Sequence, residues 1–449
     1  MMLPVHAAVF STIITNGPAT NRVNLVFFSE GYTNGQLAKF LADVTNATSA
    51  FFNVEPYAEY SNYFNVFAIF TNSVHAGSTH LAYSSYVSGY TSFNSSYDSS
   101  DRIITIPPNP SDANSSHGQG KINALLQTYL PATNHDLPAL LVNDPVPGGS
   151  DNYGGTAISS VPHVSYILVH ESGHLLGRLG DEYSTAYPGY PTNDIEPNTT
   201  RKTNFSQVKW NAWISTNTPL PTPPTIDYQY TVGLFEGAHY FTTDWYRPYF
   251  DCCMRSFGYA DFCPVCQEAL VLAIYGKARP LGGYSPATNS FTNTSPQMLN
   301  FSVNLLKPAT HALNVQWRTN NVTVGGATGT NFSILPLQLG NGTNKVEADI
   351  RDATGLVRTD SKYVLKQTNS WTVKVSVPVM QIDLLKLFTN GNLSFRVTGY
   401  SPSNVVVQAS TNLTSWTPVK TSSLSGGTFF YTNSTTNVPR RFFRTRTPP

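Results

Sequence analysis

The stretch HESGHLLGRLGDEY, residues 170–183, constrains this chain more than any other. Two histidines four apart can reach one ion together when the backbone between them is helical. In an α-helix such positions lie about 40° apart around the axis and one turn apart along it. His170 and His174 then project from one face, and both imidazoles can approach a zinc ion at about 2 Å. Glu171 lies about 100° further round, beside the ion, where a carboxylate can take a proton from an attacking water. With 10 His and 9 Glu in 449 residues, chance yields this pattern about 0.004 times per chain of this composition. The bland reading is two surface histidines on an amphipathic helix. The preceding VSYILV, at 164–169, argues against it, because an apolar run buries one end of the helix and buried histidines need partners.

A catalytic zinc needs a third protein ligand and an open position. Gly177 and Gly180 would let the chain turn back toward the ion. Asp181 is the expected third ligand and Glu182 the alternative, the other acid supporting the site. Glu236 and Glu268, on distant segments, rank lower, because the local glycines would then have no purpose. Tyr183, His239, Tyr240 and Arg255 are candidates to donate to a tetrahedral oxyanion, and the sequence does not choose among them. The glycine-led segment 154–159, with Gly155 second, reads as an edge strand to which an extended peptide could add, or equally as a bulge.

All four cysteines lie in DCCMRSFGYADFCPVC, residues 251–266. A local disulfide from Cys252 or Cys253 to Cys263 or Cys266 suits an exported protein. A structural zinc cluster is the rival, weakened because adjacent cysteines cannot easily bind one tetrahedral ion together.

The rest of the chain supplies a frame for the motif. VNLVFF (23–28), FNVFAIF (64–70) and ALLV (139–142) read as buried strands. Thr33 to Gln36 reads as a capping box, ahead of a helix whose apolar face carries Leu37, Phe40, Leu41, Val44, Ala47 and Phe51. The motif helix is expected from about His163 to Leu179, and CQEALVLAIYGKA from Cys266 reads as another helix. Strands alternating with helices predict an α/β arrangement. After Ala278 the composition changes. PLGGYSPATNSFTNTSP reads as a linker, and short strands follow near 313–317, 345–350, 393–397 and 405–409. The expected division is a leader remnant or tail at 1–19, a catalytic domain at 20–279, a linker at 280–295, and small all-β sandwich modules at 296–375 and 380–449.

Composition narrows the function classes. Charged residues are only 12% of the chain, about half the usual share, with Asn, Ser and Thr in their place. That is common in exported, strand-rich proteins. The net charge of +1 gives no electrostatic case for nucleic acid or an anionic membrane, and Arg440, Arg441, Arg444 and Arg446 alternate with Phe and Thr as on a solvated strand face. No apolar run approaches the ~18 residues of a membrane-spanning helix. MMLPVHAAVFST has a small-residue step like a signal cleavage site but no basic region. Sequons such as those at Asn46 and Asn198 are expected by chance in a chain this rich in Asn and Thr. No heptads appear, so a monomer is expected.

HESGHLLGRLGDEY resembles the HExGHxxxxLxDEY signature of the M64 metallopeptidase family, which includes bacterial immunoglobulin A peptidases. NLVFFSEGYT (24–33), NFSQVKW (204–210), GLFEGAHY (233–240) and YRPYFDCCMRS with FCPVCQEAL extend the resemblance over about residues 20–278, with Glu30 standing where the family's opening DGYT has Asp. The resemblance implies a zincin-like, metzincin-type α/β catalytic domain. It implies that His170 and His174 bind Zn2+, that Glu171 is the general base, and that the acids of DEY lie beside the metal. It also suggests a methionine turn under the metal at Met254, the plain alternative being a core methionine. The expectation is a secreted or cell-surface bacterial zinc endopeptidase acting on an extended protein or peptide substrate, with its C-terminal modules contacting glycan or the cell surface. An adhesin with a purely structural zinc is the alternative, though such a site has no use for Glu171. A hydrolase of glycans or esters ranks below both.

Overall fold

The computed structural model describes residues 8–81, 91–107, 117–131, 136–256, 258, 261–399, 404–424, 426–434 and 440–446. Residues 1–7 of the leader-like segment lie outside them. The chain divides into two compact units. The first comprises residues 1–282 with 304–314 and 350–367, and the second the remainder.

In the first unit, in chain order, come β1 (Val9–Ile14), β2 (Val23–Glu30), helix α1 (Leu37–Phe51) and β3 (Phe64–Phe70). Three two-residue strands follow, β4 (Thr79–His80), β5 (Ser96–Tyr97) and β6 (Ile104–Thr105), then helix α2 (Gly118–Tyr129). The motif region is β7 (Asp136–Val142), β8 (Gly149–Ser150), β9 (Ala157–Ser160) and helix α3 (Val164–Gly177). A hairpin, β10 (Phe235–Ala238) and β11 (Phe241–Arg247), and helix α4 (Pro264–Lys277) complete it.

The three apolar runs make the centre of one sheet, ordered β1-β3-β2-β7-β9-β8. β2 pairs in parallel with β3 and β7, and β7 with β9; β1 and β8 run antiparallel at the edges. Every residue of β2 and β3 is buried, because side chains alternate between two covered faces. On one face Val23, Leu25, Phe27, Val66 and Ala139 pack with α1, α3 and α4. On the other Val26, Phe28, Phe67, Ile69 and Leu140 pack with Ile122 of α2 and with Phe93, Tyr97 and Ile104. Each such Val, Leu, Ile or Phe side chain contributes roughly 1.5–3 kcal/mol by leaving water. The sheet therefore gives β9, and the helix that follows it, a rigid base.

Several expectations change. Residues 9–14, read as leader or tail, form the β1 edge strand. α1 begins at Leu37; the Gln36 side chain accepts from the Thr33 amide at 2.7 Å, but no side chain caps a helix amide in return. Glu30, the departure from the family's aspartate, is fully buried and accepts from Thr91 Oγ1 (2.6 Å) and from the amides of Phe93 (2.9 Å) and Ser95 (2.8 Å), so it anchors a loop. The segment read as a linker carries two strands, β12 (Leu281–Ser285) and β13 (Ser290–Asn293).

Residues 304–314 and 350–367, expected inside the first β module, fold into the first unit. Asp352 accepts from the hydroxyls of Tyr60 (2.8 Å) and Tyr275 (2.6 Å), and His311 bridges Glu59 and Asp352 at 2.7 Å each. In the second unit, one pair of sheets, of three and five strands, shares an aromatic core of Phe301, Trp317, Phe332 and Trp371. A second pair, each of three strands, surrounds Phe395, Val397, Val405 and Val407.

Candidate metal centre

α3 is apolar on most of its surface: Ile167, Leu168, Val169, Ser172, Gly173, Leu176 and Gly177 are all buried. The helix is wedged between the sheet, α1 and α4 rather than lying on the surface. Its glycines have a different use from the one the sequence suggested. A Cβ on Gly173 would lie 2.9 Å from Met254 Sδ, and one on Gly177 would lie 2.9 Å from Leu270 of α4. They permit close packing. The reversal itself is made by Arg178, the C-cap, in the left-handed region at φ 52°. Gly180 is held by Asn198, whose side chain accepts from the Gly180 amide (2.7 Å) and donates to its carbonyl (2.9 Å). Asn198 is fully buried, so its sequon cannot carry a glycan.

This backbone brings three side-chain atoms together. His170 Nε2 lies 3.1 Å from His174 Nε2, and Asp181 Oδ1 lies 3.1 Å from the first and 3.5 Å from the second. Ligands at 2.0–2.1 Å from a tetrahedral ion stand about 3.3–3.4 Å apart, so the triangle has the dimensions of one face of a zinc site. The other ring nitrogens fix the orientation. His170 Nδ1 lies 2.9 Å from the Cys253 carbonyl and His174 Nδ1 2.7 Å from the Leu179 carbonyl, which turns each Nε2 toward Asp181. Asp181 Oδ1 is buried and, apart from the two imidazole Nε2 atoms, meets no donor among the described residues. A buried carboxylate oxygen in that position is costly unless a cation meets it. The donor set, with a buried carboxylate oxygen facing two imidazoles, fits zinc.

Charge in the cluster follows from the same geometry. Burial opposes the charged form of His174, but Asp181 outweighs it and holds the imidazole up at about 9. Burial likewise opposes ionisation of Asp181, and the two histidines drive it well below the usual carboxylate range. Glu171 Oε2 stands 4.0 Å from His174 Nε2, beside the triangle rather than in it. Burial raises its carboxyl to about 7 against the pull of both histidines. A carboxyl of that kind can accept and release a proton near neutrality.

The remaining candidates separate. Glu182 is fully buried and faces away, accepting from Asn198 Nδ2 at 2.9 Å and contacting Cys266 Sγ at 3.5 Å. Glu236 is exposed on the β10–β11 hairpin, where it accepts from the Asp244 amide at 3.1 Å. Glu268 accepts from the Trp213 indole and from the amides of Arg358 and Thr359. Neither of these two belongs to the triangle.

Tyr240 and His239 form the two-residue turn of the hairpin, both with positive φ, 58° and 55°. That turn aims the Tyr240 hydroxyl at Asp181 Oδ2, 2.9 Å away. His239 is buried against Trp245 and lies 2.9 Å from the Pro191 carbonyl, so it is a structural residue. Tyr183 stacks on His170 with ring centroids 5.9 Å apart, and burial pushes its phenol up to about 12, which keeps it a donor at neutral pH.

Arg255 neighbours Arg247, whose guanidinium burial and Arg255 lower to about 10. Met254 is fully buried against Gly173, and its carbonyl accepts from the Glu182 amide at 2.8 Å. Gly155 lies in a turn, its amide bonded to the Asp151 carbonyl at 3.1 Å, and not in a strand. β9 is not a free edge either, since Ile158 and Ser159 pair with β8. The substrate edge expected at 154–159 is therefore not available there.

The four cysteines are free thiols. Cys252, Cys263 and Cys266 gather with Glu182, one ligand atom of each lying within 4.8 Å of every other, and Cys253 is outside the group. The expected local disulfide is absent.

The family model described as IgA Peptidase M64 matches residues 12–231 and 224–274. No curated protein matches the chain. Among solved structures, apo β-glucuronidase 3 of Bacteroides uniformis aligns at 10% identity and a TM-score of 0.16, over 40% of this chain and 25% of that one. Domains A168–A170 of titin align at 10% identity and a TM-score of 0.13, over 35% and 53%. The chain thus spans about a quarter of the first and about half of the second.

Proposed function

The chain belongs to the IgA peptidase M64 family, a metallopeptidase family, and from that premise we propose a secreted zinc endopeptidase with a zincin-like catalytic domain. The observation that carries the proposal is the convergence of His170 Nε2, His174 Nε2 and Asp181 Oδ1 at 3.1–3.5 Å, with Glu171 beside them. Those three residues would hold Zn2+. When bound, zinc supplies Lewis acidity, lowering the pKa of a water to about 7 and polarising a carbonyl.

Glu171 takes the proton of the attacking water and delivers it to the leaving amine nitrogen as the peptide bond breaks. Tyr240 holds the Asp181 carboxylate through its second oxygen. Tyr183, protonated and lying along His170, is the candidate donor to the developing oxyanion. The substrate is a protein presented as an extended segment. Export agrees with the low charge content, and among the described residues no helix is long and apolar enough to cross a membrane. The second unit, read as β-sandwich modules, would serve attachment to glycan or the cell surface, on a monomeric enzyme.

Glu171→Gln tests the proposal on a casein-type substrate. The expected result is a loss of about 10²- to 10⁴-fold in kcat with metal content unchanged. A rate near wild type would remove Glu171 from the mechanism. His174→Ala should lose the catalytic zinc together with activity.

A further inference from the structure

We propose that Cys252, Cys263, Cys266 and Glu182 form a second, structural metal site for a zinc-class ion, separate from the catalytic triangle and buried beside it. Cys252 Sγ and Cys266 Sγ stand 3.8 Å apart. A zinc–sulfur bond of about 2.3 Å sets a tetrahedral sulfur–sulfur edge of about 3.8 Å, whereas a disulfide requires about 2.05 Å. The group supplies four donors, three sulfurs and one carboxylate, and all four residues are 0–4% exposed. It is thus closed, as structural zinc sites are.

Cys263 and Cys266 have the two-residue spacing of zinc-binding pairs, and they sit at the N-cap and in the first turn of α4. The difficulty that two adjacent cysteines raised disappears, because Cys253 is not part of the group and only Cys252 is used. An independent observation points the same way. Glu182 Oε1 accepts from Asn198, while Glu182 Oε2, on a fully buried side chain, has no partner among the described residues. A closed site of three thiolates and one carboxylate around a divalent ion carries two negative charges, and Arg247 is close enough to interact electrostatically with both Glu182 and Cys252.

The site joins two of the backbone segments that shape the catalytic triangle. Glu182 follows Asp181 directly. Cys252 precedes Cys253, whose carbonyl orients His170. Met254, next in line, accepts from the Glu182 amide and packs on Gly173. A metal here would fix the DEY turn, the methionine turn and the α4 N-terminus to one point.

The test uses the full chain purified with zinc supplied, by elemental analysis together with a thiol count after denaturation with chelator. Expected are two zinc ions per wild-type chain, one retained in His174→Ala, and four free thiols. Cobalt substitution of His174→Ala should give a near-ultraviolet thiolate-to-cobalt charge-transfer band. A count of two thiols, meaning a disulfide that takes at least one of the three cysteines, overturns the proposal. So does four thiols with no metal in His174→Ala. The catalytic reading fails separately: one zinc in both proteins, with the thiolate band present, would leave this site standing and empty the His170–His174 assignment. Because none of these measurements needs a cysteine variant to fold, a Cys266→Ser protein serves only to show the loss of the band.

Discussion

Two clusters of ligand-type side chains lie on consecutive residues, Asp181 in one and Glu182 in the other, and they differ in access to solvent. His170, His174, Asp181 and Glu171 keep 12–15% of their side-chain surface exposed. Cys252, Cys266 and Glu182 keep none. The first offers two imidazoles and one carboxylate, three donors with room for a fourth partner from outside. The second offers four donors and no opening. A metal that must meet a substrate needs the first arrangement, and one that only holds backbone needs the second. Neighbouring acids of similar intrinsic chemistry are thus given different work by the direction in which a turn points them.

The largest effect should come from neutralising the two acids one at a time. Asp181→Asn removes one anionic ligand from the open cluster. A loss of at least about 100-fold in activity is expected, with zinc affinity falling alongside, measured by kcat/KM and by competition with a chelator. Glu182→Gln should leave the catalytic zinc in place and lower thermal stability instead. Equal losses of catalytic zinc in both variants would erase the distinction between the clusters.

Tyr240→Phe probes the open cluster more gently. Its hydroxyl donates to Asp181 Oδ2 at 2.9 Å, and losing such support for a ligand costs about 10- to 100-fold in metal affinity or activity. Metal affinity should change as well as kcat. A change in kcat alone, with affinity intact, would instead place the hydroxyl on the substrate.

Gly173→Ala tests the packing between the clusters. The added methyl would meet Met254 Sδ at 2.9 Å and Phe262 at 3.1 Å. Overpacking of this kind costs about 1–3 kcal/mol, read as a fall in thermal midpoint. Met254 shares its turn with Cys252 and with Cys253, whose carbonyl orients His170, so metal should be lost more readily from both clusters. An unchanged midpoint would mean that Met254 has space to move and does not brace the helix.

Much of this was legible in the sequence, for reasons that can be named. A two-sided buried sheet announces itself as continuous apolar runs, so VNLVFF, FNVFAIF and ALLV gave their strands. The spacing of the two histidines requires a helix, and α3 runs over Val164–Gly177 where one was expected from about 163 to 179. Other parts had no signal to read. The carbonyls of Cys253 and Leu179 that orient the histidines are backbone groups, and every residue has one. Arg178, His239 and Tyr240 adopt positive φ, a conformation usually marked by Gly or Asn, so the turns they make were invisible. Asn198 lay hidden in a sequon. Cysteine spacing favoured a disulfide over a metal cluster; only the fold decides which thiols meet and that Glu182 joins them.

A third histidine shows how the same residue types can serve as a strut, and gives the smallest effect. His311 is held at both ring nitrogens by carboxylates, Glu59 and Asp352, at 2.7 Å each. It has no nitrogen left to offer a metal, whereas His170 and His174 each anchor one nitrogen on a carbonyl and present the other. Burial opposes its charge, but Asp352 and Glu59 raise its pKa above the usual value. A raised histidine contributes stability that is full below the unfolded value of about 6.5 and is lost as pH rises through the folded value. Glu59 is lowered by its bonds to Thr310 and His311 despite burial, so its share is present above about 4.5 and lost on acidification. Wild type should therefore exceed His311→Gln in stability most clearly near pH 6, by on the order of 1 kcal/mol for a partly exposed pair, and the margin should shrink by pH 9. Activity and zinc content should not change with it. A margin that persists unchanged at pH 9 would mean that His311 acts through packing rather than charge, and a loss of zinc would make it part of the metal chemistry after all.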